Sequence, residues 1–203
     1  MSIIQDRAQL RARYKAPAGR AVAKQLDHLD PHCRRFIGFS PFVVMATHGS
    51  DGLPDASPRG GRPGFVAVED HQHLLIPDWP GNNRLDSLEN ILDTGRLGLL
   101  FLIPGVDETL RVNGAAVLSD DETLTGRCRE GERLPKLVIR LTVGEAYLHC
   151  AKALMRSCLW SPQALIERDA LPTMGEMLRD QTGGREAMES QAEMIARYQK
   201  VLY

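Results

Sequence analysis

The chain has 203 residues, enough for one sizeable core and too few to read as two full domains. Its formal net charge of -1 excludes the strong basic excess of a nucleic-acid footprint, so no nucleic-acid partner is expected. Four scattered cysteines (Cys33, Cys128, Cys150, Cys158) form no CxxC pair and argue against a zinc ribbon or a dithiol redox motif.

The start, MSIIQDRAQLRARYK, carries charges where a signal peptide would be apolar, and the longest apolar run, Leu97 to Ile103, is far below bilayer-spanning length. A cytoplasmic protein with no membrane partner is the expectation. Ile4 to Arg13 supports a short amphipathic helix, broken at Pro17 and Gly19, and Arg20 to Leu29 a second one. Asp30-Pro31 predicts a helix start, because aspartate caps free amides and proline fills a first turn that needs no donor. That helix should stop before Pro41.

Phe42 to Thr47 is apolar and partly β-branched, and the Asp51-Gly52 turn after it predicts a hairpin. Strand signals recur at Phe65 to Val68, Leu74 to Ile76, Leu97 to Ile103, Thr109 to Leu118 and Leu137 to Leu148, with a bulge expected at Gly144. Between them NNRLDSLENILDTG predicts a helix with Leu85, Leu88 and Leu92 on one face, Gly95 just past its end and Arg84 in its first turn. Ser119 and Glu122 suggest a capping box for another helix. Ala151 to Cys158 and the tail from Arg185 to Tyr203, with Met188, Ala192, Ile195 and Leu202 on one side, predict two more.

Many antiparallel strands with few crossover helices predict a mainly β protein, a six-stranded β-barrel with flanking helices, since closing the sheet removes its edges. The expected division is one domain over 1–203, with a helical arm (1–40), a barrel core (41–160) and a C-terminal helical extension (161–203).

The functional signal lies from Ser57 to Leu118. Arg59, Arg84 and Arg111 sit at strand ends or on a strand, next to glycine or short polar residues that allow a ligand close to the backbone. Forked, permanently charged guanidinium groups and amides at a helix start suit the phosphate of a planar phosphorylated cofactor. The plainer alternatives are a turn arginine at Arg59 and a helix arginine paired with Asp86 or Glu89 at Arg84. No GxGxxG fingerprint or P-loop supports a dinucleotide fold.

With LLIPDWPGNNRLDSLENI, the strand Leu97 to Ile103 and Arg111-Val112-Asn113-Gly114 in view, the chain resembles the pyridoxamine-phosphate-oxidase-like family of FMN-binding split barrels from about Phe42 to His149. The resemblance implies a homodimer with FMN at the subunit interface. It implies Arg59, beside Gly60, at the phosphate, with Arg62 as the alternative because GGRPG follows Arg59. It puts Arg84 at the helix start with Asn83 beside it, Ile76 and Pro77 as backbone toward the ring edge, and Thr109 and Arg111 near the ring. Lys152, Arg156 and Trp160 would reach the flavin of the partner subunit; their plainer reading is a solvated face and a core tryptophan.

The substrate set of the true oxidase is missing from SDDETLTGRCREG and from the tail, so vitamin B6 oxidation is not expected. The resemblance points to the branch without an agreed substrate. No Ser/His/Asp or Cys/His motif stands out, His28/His32 and His71/His73 read as ordinary polar residues, and His149-Cys150 lacks a second ligand pair. Chemistry would therefore belong to the flavin, with an oxidoreductase as the first reading and a non-catalytic flavin, haem or deazaflavin binding or sensing protein as the second.

Overall fold

The computed structural model describes residues 3–185 and 189–202. Two short helices, α1 (Arg7–Arg11) and α2 (Gly19–Ala23), precede α3 (Pro31–Phe39). The strands are β1 (Phe42–His48), β2 (Pro54–Gly60), β3 (Ala67–Val68), β4 (His73–Asp78), β5 (Arg96–Ile103), β6 (Val106–Ser119) and β7 (Leu137–His149). α4 (Asp86–Thr94) lies between β4 and β5, and α5 (Glu122–Gly126) between β6 and β7. After β7 come α6 (Lys152–Ser157), two 3₁₀ turns, α7 (Met174–Gln181) and α8 (Gln191–Gln199).

All strands join one antiparallel sheet in the order β2-β1-β5-β6-β7-β4-β3. The sheet holds seven strands where six were expected, the two-residue β3 being the marginal member. Among the described residues no ladder joins β2 to β3, so the barrel is split rather than closed.

Alternation decides what is inside. Val43 and Met45 of β1, Leu97, Leu99 and Phe101 of β5, Leu110 and Val112 of β6, Ile139 and Leu141 of β7 and Leu74 and Ile76 of β4 form one core, into which α3 sends Ile37 and α4 sends Leu88 and Ile91. Gly144 is the bulge residue: Asn113 pairs with Glu145 and Gly114 with Val143, which leaves Gly144 extra on β7.

Asp30 caps α3 by accepting from the Cys33 amide at 2.7 Å, with Pro31 in the first turn. Asp30→Ala is expected to cost about 1 kcal/mol in a urea melt. In the turn before β4, Asp70 accepts from the amides of Gln72 (2.6 Å) and His73 (2.9 Å). The Gln72 amide and the His73 ring hold its carboxyl down at about 2. A depressed carboxylate stabilises the fold above its unfolded pKa near 3.8 and loses that contribution as pH falls toward 2. Asp70→Asn is expected to flatten this part of the acid-unfolding curve.

Several local expectations are corrected. α2 ends at Ala23, because Leu26 exchanges backbone hydrogen bonds with Ala146 instead of continuing the helix. α4 begins at Asp86 and buries Ser87, Leu88 and Ile91; Leu92 is 71% exposed, and Leu85 is the cap residue. Arg84 therefore stands in the loop before the helix, not in its first turn. α5 is capped by Asp121, which accepts from the Thr123 amide, and not by a Ser119/Glu122 box. The tail helix spans only Gln191–Gln199, with α7 before it; Met188 and Tyr203 lie outside the described residues.

Candidate functional site

On β2, Asp55, Ser57 and Arg59 pair with Thr47, Met45 and Val43 of β1. Val43 and Met45 are fully buried, so these three polar side chains point to the inner side of the sheet at its open edge. The Arg59 guanidinium donates to the Ser57 hydroxyl and, at 2.9 Å, to the Pro58 carbonyl. Asp55 accepts from the hydroxyls of Ser87 (2.7 Å) and Thr47 (3.3 Å), and the Asn90 amide donates to Thr47 at 3.0 Å. This latch fixes the start of α4 against β2.

The opposite wall is the end of β4 and the loop leading to α4. Asn82 accepts from the Arg84 amide at 3.0 Å, and Asn83 takes a left-handed conformation (φ 60°), which asparagine tolerates better than most residues. The Arg84 side chain is 77% exposed and donates to Asp86 at 2.6 Å. Lys136, just before β7, is tied to this wall by its amide, which donates to the Asp78 carbonyl at 3.1 Å.

These segments enclose a cleft of about 580 Å³ lined by Arg59, Gly60, Pro77, Asn83, Arg84 and Lys136, among others. Asp78 also lines it and is half-buried. Burial pushes its carboxyl up, and the nearby Arg59 and Lys136 charges only partly oppose this.

Arg62 does not share this cleft. Its Nε sits 2.7 Å from Glu130 on a neighbouring cleft of about 230 Å³, which Phe65, Pro77 and Trp79 separate from the first. Ile76 is fully buried in the core and does not line the cleft, whereas Pro77 does.

The remaining nominated residues gather elsewhere. Leu110 and Val112 point into the core, so Thr109 and Arg111 lie on the outer face of the same sheet. Thr109 is buried there opposite His149, and the Arg111 guanidinium lies 5.4 Å from the Tyr147 ring. The Trp160 indole donates to the Val106 carbonyl at 2.9 Å, and Lys152 and Arg156 are exposed on α6, which packs on β6. A single chain thus puts Arg59, Arg84, Asn83 and Pro77 on the inner cleft, Thr109 and Arg111 on the outer face, and Lys152, Arg156 and Trp160 beside β6.

Sequence reasoning missed Lys136, Ser57 and Asp78. Lys136 is 52 positions from Arg84, and its only signal was its place just ahead of an alternating strand. Glu69, Asp70 and His73 also come within 4.8 Å of one another. Asp70 is occupied as a turn acceptor and Glu69 pairs with Arg140 at 2.7 Å, so they read as structural.

An antiparallel sheet of this order, split at one edge and plugged by helices, defines a split-barrel protein. The family model for pyridoxamine 5'-phosphate oxidase matches residues 29–150, and the chain belongs to that family. Among curated protein sequences no relative matches. HupZ of Group A Streptococcus is similar in structure, at 16% identity and a TM-score of 0.50 over 60% of this chain and 99% of that one. A Clostridium acetobutylicum protein related to general stress protein 26, of the pyridoxinephosphate oxidase family, is 11% identical with a TM-score of 0.44, over 58% and 85% of the two chains. HutZ, the haem storage protein of Vibrio cholerae, is 13% identical with a TM-score of 0.38, over 60% and 93%. At such identities the likeness concerns the fold alone. Among the described residues no helix is long and apolar enough to cross a membrane.

Proposed function

We propose that the protein is an FMN-binding flavoprotein, working as a homodimer and acting as an oxidoreductase on a small molecule. The observation that carries this reading is the meeting of Arg59, Arg84 and Lys136, from three separate segments, on one cleft. Two guanidinium groups, an ammonium and the Ser57 hydroxyl match the acceptor oxygens of a phosphate. The cleft walls offer a haem iron no histidine, cysteine or methionine among the described residues.

Arg59 and Lys136 would hold the phosphate, Arg84 would leave Asp86 to close over it, and Pro77 and Asn83 would flank the path of the ring. Thr109 and Arg111 face outward, and Lys152, Arg156 and Trp160 stand beside β6, where a second copy seated on that side would meet them. Bound flavin supplies one- and two-electron transfer, and the protein supplies position and charge.

The test is an absorption spectrum of the purified protein followed by titration with FMN and with riboflavin. Flavin bands and a preference for FMN of about tenfold or more are expected, since each charge-assisted hydrogen bond contributes roughly 1.5–3 kcal/mol. A colourless protein that binds neither, a haem or deazaflavin spectrum, or equal affinity for the two flavins would overturn the reading.

Asp78 adds a pH dependence. Once ionised it repels the phosphate, so FMN affinity should fall as pH rises through its titration. Asp78→Asn should bind FMN more tightly at neutral pH and lose that part of the profile. Weaker binding by this variant would show that Asp78 instead positions Arg59 and Lys136.

A further inference from the structure

The first 25 residues carry six bases, Arg7, Arg11, Arg13, Lys15, Arg20 and Lys24, against the single acid Asp6, a formal charge of +5. The rest of the chain holds the other 19 bases and 25 acids, a formal charge of -6. The near-neutral total thus hides a basic arm on an acidic body.

The arm does not spend its charge or its apolar surface on its own body. Neither α1 nor α2 buries a residue, and Ile3, Leu10, Tyr14 and Val22 are exposed. Among the described residues none of Arg7, Arg11, Arg13, Lys15 and Arg20 makes an ion pair.

Its root, in contrast, is fixed. Lys24 donates to the Leu148 carbonyl at 2.6 Å and lies 5.4 Å from the Tyr147 ring. Gln25 donates to Glu145 at 2.6 Å, and Leu26 bridges Ala146. Tyr147 is opposite Arg111, so the arm leaves from the outer face of the sheet. Across that face the register sets Phe42 beside Leu102 and Val44 beside Leu100, an apolar strip that is only partly covered.

We propose that the arm is a clasp for a second copy of this chain, laying its basic, apolar-studded length on the acidic body of a partner seated on the outer sheet face. The proposal rests on the homodimer put forward above. Charge favours this occupant: another copy presents the arm with a body of opposite sign, and two exchanged arms offset the like-charge repulsion between the bodies, whereas an anionic membrane or a nucleic acid would repel the body with nothing to offset it. Two arms exchanged about a twofold axis satisfy both halves at once.

The experiment is sedimentation equilibrium of the full chain and of the triple variant Arg7→Glu, Arg11→Glu, Arg13→Glu, at about 0.05 and 0.5 M salt, which moves the screening length from beyond 10 Å to a few ångströms. The parent should dissociate more readily at high salt. The variant should dissociate about tenfold more readily than the parent at low salt and lose most of the salt dependence, while arginine-to-lysine replacements at the same positions keep parental behaviour. A dimeric parent matched by the glutamate variant at both salts overturns the clasp and leaves the dimer standing. A parent that stays monomeric removes both. Flotation with phosphatidylserine-containing vesicles supplies the other arm: parent bound, variant released and dimerisation unchanged would assign the arm to membranes and overturn the proposal.

Discussion

Replacing Arg59 by alanine is expected to raise the FMN dissociation constant by about 10- to 100-fold, corresponding to roughly 1.5–3 kcal/mol of lost charge-assisted hydrogen bonding. Arg59 should matter more than Arg84. Its guanidinium is half-buried on the inner side of β2 and oriented by the Ser57 hydroxyl and the Pro58 carbonyl, so little freedom remains to be lost on binding. Arg84 is largely solvated and must first leave Asp86, and an exposed, water-screened pair of that kind contributes little. Arg84→Ala should therefore weaken FMN by a smaller factor, and Arg62→Ala, which breaks a pair with Glu130 on the next cleft, should leave FMN affinity close to parental. Fluorescence titration of the three variants checks the order. If Arg62→Ala proves the most damaging, the phosphate belongs to the neighbouring cleft.

Gly114→Ala is expected to cause the largest loss of stability of any single methyl addition in the sheet. A Cβ on Gly114 would stand 1.9 Å from the Thr142 carbonyl oxygen and 3.1 Å from the Gly144 amide nitrogen, both rigid backbone. The crowding follows from the bulge: with Gly144 as an extra residue, β7 presses its backbone against β6 at this point. Relieving the overlap would require the two longest strands to separate, at a cost of about 3 kcal/mol. For a chain of this length that lowers the melting midpoint by roughly 10 °C. Gly126→Ala is the matched control, because nothing lies within 4 Å of its added Cβ, and it should melt as the parent does. A Gly114 variant that melts with the control would mean that the bulge relaxes without penalty. The glycine of the Arg111-Val112-Asn113-Gly114 motif is thus explained by strand packing.

Much of the fold was legible because local chemistry and tertiary packing agree. Asp30-Pro31 announces a helix start, and Asp30 does cap α3. Asp51-Gly52 announces the β1–β2 hairpin, and Gly95 takes the left-handed conformation just past α4 (φ 62°). The agreement fails where packing overrides periodicity. Leu92 fits the helical stripe with Leu88 but faces water, because the sheet, chiefly β1, β6 and β2, covers the side of α4 that carries Ser87, Leu88 and Ile91. On β7, Leu137, Ile139, Leu141 and Val143 alternate as a half-buried strand should. Yet Val138 is fully buried on the other face, where Cys128 and Leu75 cover it. Periodicity cannot report cover supplied by a distant segment.

The same division governs the cleft. Residue type and neighbouring glycine or asparagine marked Arg59 and Arg84 as candidates, because a guanidinium beside a permissive backbone is a local property, and both line the cleft. Their meeting was not local: it needs the β1–β2 hairpin to fold Arg59 inward and the Asp55–Ser87 bond to hold α4 against it. Lys136 joined only through the pairing of β4 with β7, and Arg62 lines the neighbouring cleft, paired with Glu130.

The amino-acid order by itself determined most of the strands and turns and the helices α3 and α4, and hence a mainly antiparallel sheet, since these depend on side-chain alternation and on backbone preferences within a few residues. The tertiary structure alone decided that the barrel stays split, which of the basic groups share a cleft, and that Thr109 and Arg111 stand on the opposite face from Arg59. Those outcomes depend on contacts between segments tens of residues apart, whose geometry no local preference encodes.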